Sequence, residues 1–303
     1  MIGICRLCEK EKELKKSHLL PSFIFKWKKE QGTGFFRSSQ NPNKRVQDGL
    51  KLYQLCADCE QRFGLWEKQF SEKLFKPFHD NSGTHVKYSE WLLKFTVSIS
   101  WRNLIYHKLK NGLSILSETQ RDLAEEALLK WKSFLMNQTK HIGTFEQHIF
   151  PVDIIKSYQG RGSLSPYLNR YFVGSVDFDL LRTKKTCFLY SKLNKLIVIG
   201  IIQQPSKDYL EGTLIEYPTG KFKPRPIGIP EQFFHYFNKR ANQCAQHLSL
   251  LSDKQWEAIS KSYEKDIDRL KNSDMFFATG VDVSISGQNA FHVLKSEKEK
   301  DKK

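Results

Sequence analysis

Two short cysteine pairs, Cys5-Arg6-Leu7-Cys8 and Cys56-Ala57-Asp58-Cys59, constrain this chain more than any other feature. In each pair a single turn of backbone can point two thiolates at one tetrahedral metal, and two such pairs close a complete coordination shell. The segment between them, Glu9 to Leu55, is rich in turn residues and poor in apolar ones, so it needs an external tie to hold a fold. A closed four-thiolate site leaves no open coordination position, so the expected Zn2+ is structural.

The alternative pairing chemistry, disulfides, requires an oxidising compartment. Met1 to Arg6 shows no basic region followed by an apolar run, and no stretch reaches the roughly 18 apolar residues of a membrane span. A reducing, cytoplasmic setting with no membrane association is therefore expected, and there the paired cysteines are zinc ligands. The two remaining cysteines, Cys187 and Cys244, read as small buried side chains.

The chain has 303 residues, 39% hydrophobic and 13% aromatic, which is a globular composition. Its formal net charge of +16 favours a polyanion, with nucleic acid as the first expected partner.

Periodicity places a helix from Glu60 to about Phe75, with Phe63, Trp66, Phe70, Leu74 and Phe75 in an apolar stripe that reads as core. Asn81-Ser82-Gly83 marks a break. A helix from about Tyr88 to Lys110 is apolar around its whole circumference and reads as a central strut, with Trp101-Arg102 either meeting the zinc module or simply forming a core edge. Asn111-Gly112 ends it, and Ser117 caps the next helix, which runs to about Met136. The period then changes. Strands are expected over Thr144–Phe150, Arg170–Phe178, Thr186–Tyr190, Lys195–Ile202 and Gly212–Tyr217, with Ser191 to Asn194 as a hairpin connection. Helices return after Pro230, from Glu231 to about Leu251 and, capped by Ser252 with Gln255 in a capping box, to about Leu270. Ser296 to Lys303 is a charged, frayed end.

Cys5 to about Phe75 resembles the HNH endonuclease superfamily, in its subgroup with four zinc-binding cysteines. The carrying motifs are Ser17-His18-Leu19-Leu20-Pro21, the Leu55-Cys56-x-x-Cys59-Glu60 helix start, and Ser98 to Arg102 in the apolar helix. The similarity is greatest to uncharacterised bacterial members with a Ser-His-x-x-Pro motif. It covers about the first third of the chain; the rest resembles no known family.

The resemblance implies an N-terminal treble-clef or ββα zinc module over 1–80; with it, the helices and strands read above give an expected α+β fold, with a helical connector over 81–140 and an α+β domain over 141–303 holding an antiparallel sheet and long helices. It implies metal-dependent hydrolysis of DNA phosphodiesters, with His18 as general base and Glu60 as ligand to a catalytic Mg2+ or Mn2+. It also implies a role in bacterial anti-phage defence, with a defence-system partner protein.

The chain departs from the family pattern at several positions. Ser17 stands where the family has Asp or His, the family's Asn falls near Lys51 with Asp48 as the nearby polar substitute, and Glu60 stands for His or Asn. Asp58 and Glu67 are further oxygen donors. Two readings stay open: Glu60 with Asp48 or Glu67 rebuilds a hard-metal site beside His18, or the module has become a catalytically inactive, zinc-stapled nucleic-acid- or protein-binding unit. An RNA-cleaving toxin using His18 is a third. Lys12, Lys15, Lys16, Lys26, Lys28 and Lys29 flank His18, interleaved with Glu9, Glu11, Glu13 and Glu30. Lys221 to Pro226 reads as a basic surface connection.

Overall fold

The computed structural model describes residues 1–31, 36–37, 41–80, 85–157, 164–204, 210–224 and 231–290. Expectations placed at 81–83, 225–226, 230 and 296–303 lie outside the described residues.

The chain folds as two units that interleave in sequence. The first comprises Met1–Phe23, Gly49–Pro151 and Val176–Gly228; the second comprises Ile24–Asp48, Val152–Ser175 and Ile229–Lys303. The sequence reading instead placed successive segments at 1–80, 81–140 and 141–303.

The first unit is organised by the helix Glu90–Asn111, which the sequence places within two residues. Among its buried side chains are Trp91, Leu92, Phe95, Ile99 and Trp101. A helix apolar all round must be covered on every side. On one side lies the cysteine-bearing helix Ala57–Phe70, where Phe70 stacks on Phe95 with ring centroids 3.8 Å apart and Phe63 meets Trp101 edge-on. On others lie the helix Glu118–Leu135 and an antiparallel sheet in the order Gln147–Pro151, Leu196–Gln203, Cys187–Leu193, Val176–Arg182. The sheet therefore belongs with the cysteine module and the strut. The C-terminal helices expected to flank it belong to the second unit.

Local chemistry sets the boundaries. Gly112, at φ 60, ends the strut in a left-handed conformation that glycine adopts without cost. Ser117 and Gln120 exchange both hydrogen bonds of a capping box at the start of Glu118–Leu135. Leu193 pairs with Leu196 across a two-residue hairpin turn, in which Asn194 takes φ 61. The connection is thus Asn194-Lys195, with Ser191 to Leu193 still in the strand. Gly212–Tyr217 is not a strand; it contributes an isolated bridge from Leu214 to His148.

The second unit holds Glu231–Ser249, Asp253–Glu264, Ile267–Lys271 and Asp274–Ser286, all helical. The helix expected to run on to Leu270 stops at Glu264, and Asp266 caps a new one by accepting from the Arg269 N–H. Ser252 makes no side-chain cap: the Gln255 N–H donates to the Ser252 carbonyl at 2.8 Å, and the Gln255 side-chain oxygen that would complete the box accepts from Arg37 and Arg45.

Candidate metal centre and its neighbours

Two antiparallel strands followed by a helix carry the cysteines. Ile2–Ile4 pairs with Glu11–His18, and Cys5 to Lys10 form the turn between them. The turn closes through Cys5 N–H to Lys10 O at 3.0 Å and Glu9 N–H to Cys5 O at 2.9 Å. Lys51–Cys56 pairs on the other side of Glu11–His18, placing Cys56 opposite Leu14. Cys56 then occupies the N-cap of Ala57–Phe70 and Cys59 its first turn, where the helix dipole favours a thiolate.

All four ligand sulfurs lie within 4.8 Å of one another. The six cysteines are free, and the Sγ atoms of Cys8 and Cys56 are 3.8 Å apart, far beyond a disulfide bond. Metal–sulfur bonds of about 2.3 Å in a tetrahedron put sulfurs about 3.8 Å apart, so the spacing fits a zinc-sized ion. The Cys56 N–H points at Cys5 Sγ at 3.4 Å. Burial raises the Cys5 thiol pKa, but N–H groups of Cys8, Cys56 and Leu7 outweigh it and bring the value down to about 7. Burial and the neighbouring sulfurs push Cys59 up. The group is able to hold a metal ion such as zinc. Among the described residues it is the only cluster of three or more Cys, His, Asp or Glu side chains this close.

His18 ends the strand Glu11–His18, opposite Lys51, the position where the HNH resemblance expects asparagine. Its carbonyl accepts from Arg102 Nη1 at 3.0 Å. Arg102, 1% exposed in its side chain, reaches Glu67 Oε1 at 2.8 Å with Nη2 and bonds Ser98 O through Nε at 3.2 Å. Its guanidinium also lies over the Phe63 ring, 5.2 Å from the centroid. Glu60 and Glu67, two helical turns apart on Ala57–Phe70, project from one face. Burial pushes the Glu67 carboxyl pKa up. Arg102 opposes this, Glu60 adds to it by repulsion, and His18 opposes it. These four side chains thus share one electrostatic neighbourhood beside the cysteines. The Nε2 atom of His18 is shielded from solvent, and Glu60 Oε2 is shielded with no hydrogen-bond partner among the described residues.

The other expected donors are Asp48 and Asp58. Asp48 belongs to the second unit. Asp58 is exposed and paired with Lys12 at 2.6 Å. Lys15 pairs with Glu13 at 3.0 Å, and Lys26, Lys28 and Lys29 fall in the second unit. Ser17 is buried, its hydroxyl turned to the Lys15 carbonyl at 3.4 Å. Cys187 is buried and Cys244 half-buried.

The sequence left Arg102 open between a contact with the zinc module and a core edge, and its grip on Glu67 had only an acidic residue one turn beyond Phe63 as a signal. Among the described residues, no helix is long and apolar enough to cross a membrane. Comparison with known protein families, curated proteins and solved structures finds no match for this chain.

Proposed function

We propose that this protein is a zinc-stapled, metal-dependent phosphodiester hydrolase of the HNH type that cuts DNA, its cysteine module forming a treble clef. The observation that carries the reading is Glu60 Oε2, a buried carboxylate oxygen without a hydrogen-bond partner among the described residues. Such an atom needs a cation or a donor to offset its lost hydration.

A hard divalent ion fits that oxygen. Magnesium takes one or two carboxylates and completes its shell with water and substrate phosphate oxygens, so a compact protein cluster is not required. Glu60 would hold the ion, and Mg2+ or Mn2+ there would supply charge stabilisation for the leaving 3′ oxygen. His18 takes the proton from the attacking water. The strand pairing at Lys51 and the Arg102 bond to its carbonyl fix the His18 backbone. Glu67 is occupied by Arg102 and serves to hold that arginine rather than the ion. The positive surplus of the chain favours the polyanionic substrate. A role in antiviral defence rests on the resemblance alone and is proposed on that ground.

The test is cleavage of plasmid and single-stranded DNA with magnesium or manganese. Metal-dependent cutting should fall about 100-fold or more in His18→Ala and in Glu60→Gln. Cutting retained in both variants contradicts the assignment.

The shielding of His18 Nε2 favours a second reading, in which the module binds nucleic acid or protein without cutting. Intact DNA under every metal, with retained gel shift of labelled DNA, selects it.

A further inference from the structure

We propose that the exposed face of a two-stranded ribbon, Val86–Tyr88 with Gly220–Phe222, is a docking surface for the phosphodiester backbone of nucleic acid. It rests on the nucleic-acid part of the proposed function and is independent of whether the protein cuts.

The ribbon joins segments far apart in sequence. Its antiparallel register sets Lys221 opposite Lys87, Gly220 opposite Tyr88 and Phe222 opposite Val86. Side chains alternate across a strand, and here Tyr88 and Phe222 are buried while Lys87, Lys221 and Lys223 are exposed. Gly220 is required at its position, since a Cβ there would lie 2.3 Å from the Tyr88 hydroxyl oxygen.

Like charges directly opposite each other destabilise a sheet. None of these three lysines makes an ion pair among the described residues, so nothing described offsets the repulsion between Lys87 and Lys221. An anion binding across the pair would offset it. The three lysines border an open basin of about 730 Å³ in which, among the described residues, Glu216 is the one acidic lining residue, so a positive surplus remains. The basin wall is fixed by the Glu216 N–H donating to the Tyr88 hydroxyl at 3.1 Å.

Tyr88 and Phe222 turn inward, and among the described residues the exposed apolar side chain bordering Lys221 and Lys223 is Leu214, too little to anchor a bilayer. A lipid-surface site would need more apolar anchors. A phosphodiester backbone needs only spaced cations and contributes counterion release.

The test is fluorescence anisotropy of the full chain with a labelled single strand and the matching duplex across a salt series. The ribbon variant combines Lys87→Gln, Lys221→Gln and Lys223→Gln. A charge-matched control combines Lys140→Gln, Lys184→Gln and Lys185→Gln, all exposed. Far-UV circular dichroism and zinc content verify that both remain folded.

The ribbon variant should lose about two to three units of the slope of log K against log salt, with at least a roughly tenfold loss of affinity, while the control keeps the wild-type slope. Equal behaviour of the two variants overturns the ribbon site and leaves nucleic-acid binding standing. A wild-type chain that binds neither probe at low salt overturns both. Binding to anionic phospholipid vesicles that the ribbon variant alone loses, without nucleic-acid binding, identifies a membrane surface instead and also overturns the proposal.

Discussion

Arg102 Nη1 donates to the main-chain carbonyl of His18 at 3.0 Å, tying the strut helix to the end of the strand beside the cysteines. The same guanidinium meets Glu67 at 2.8 Å and is itself 1% exposed. A buried ion pair contributes little net stability, but removing one partner leaves the other charge uncompensated. Arg102→Met should therefore cost about 3–5 kcal/mol in urea denaturation. Adding Glu67→Leu should recover part of that loss, because no unpaired carboxylate then remains. A loss under about 1 kcal/mol in the single variant would place the guanidinium outside any stabilising network.

His148 should make the protein acid-sensitive. It is buried, its Nδ1 is 2.9 Å from the Thr213 hydroxyl, and burial holds its pKa down from 6.5 to about 4. Thr213 Oγ1 donates to Leu210 O, so it accepts the Nδ1 proton of a neutral imidazole. The unfolded chain takes up the proton first as pH falls, so this stability is full above about pH 6.5 and is lost towards pH 4. The shift corresponds to about 3 kcal/mol. Thermal midpoints measured from pH 7 to pH 4 should fall less steeply in His148→Asn than in wild type, and parallel curves would refute the assignment.

Gly200 lies where the sheet approaches the strut helix tightly. A Cβ there would stand 2.4 Å from Ser100 Oγ and 2.7 Å from Ser100 Cβ. Gly200→Ala should cost about 1–3 kcal/mol through overpacking. Ser100→Gly should relieve the clash, so the double variant should be more stable than the sum of the two single losses predicts. Simple additivity in chemical denaturation would mean that the two residues do not touch.

The parts of the fold that are legible in the sequence are those whose causes are local. The cysteine spacing, the all-round apolar helix Glu90–Asn111, its Gly112 stop and the Ser117 cap each need only neighbouring residues to read. Arg170–Phe178 reads as a strand from its aromatic and β-branched residues, yet Leu168–Gly174 is helical. Its first-turn N–H groups, at Asn169 and Arg170, are satisfied by the carboxylate of Asp282 at 3.1 and 3.2 Å, and Arg170 Nε bonds the same group. That cap comes from a residue more than a hundred positions away, so no local pattern announces it. The same holds at the candidate site. His18 and the cysteines are marked by motif, whereas the diversion of Asp58 to Lys12 and of Glu67 to Arg102 depends on tertiary neighbours.

The claim beneath all of this is that Cys5, Cys8, Cys56 and Cys59 hold one ion between them, and the metal content of the purified chain tests it most directly. Elemental analysis by mass spectrometry should find one zinc per chain, lost in Cys59→Ser together with a lowered thermal midpoint. Protein purified without chelators that carries no zinc, and whose four thiols react freely with a thiol reagent while the fold persists, would contradict the account.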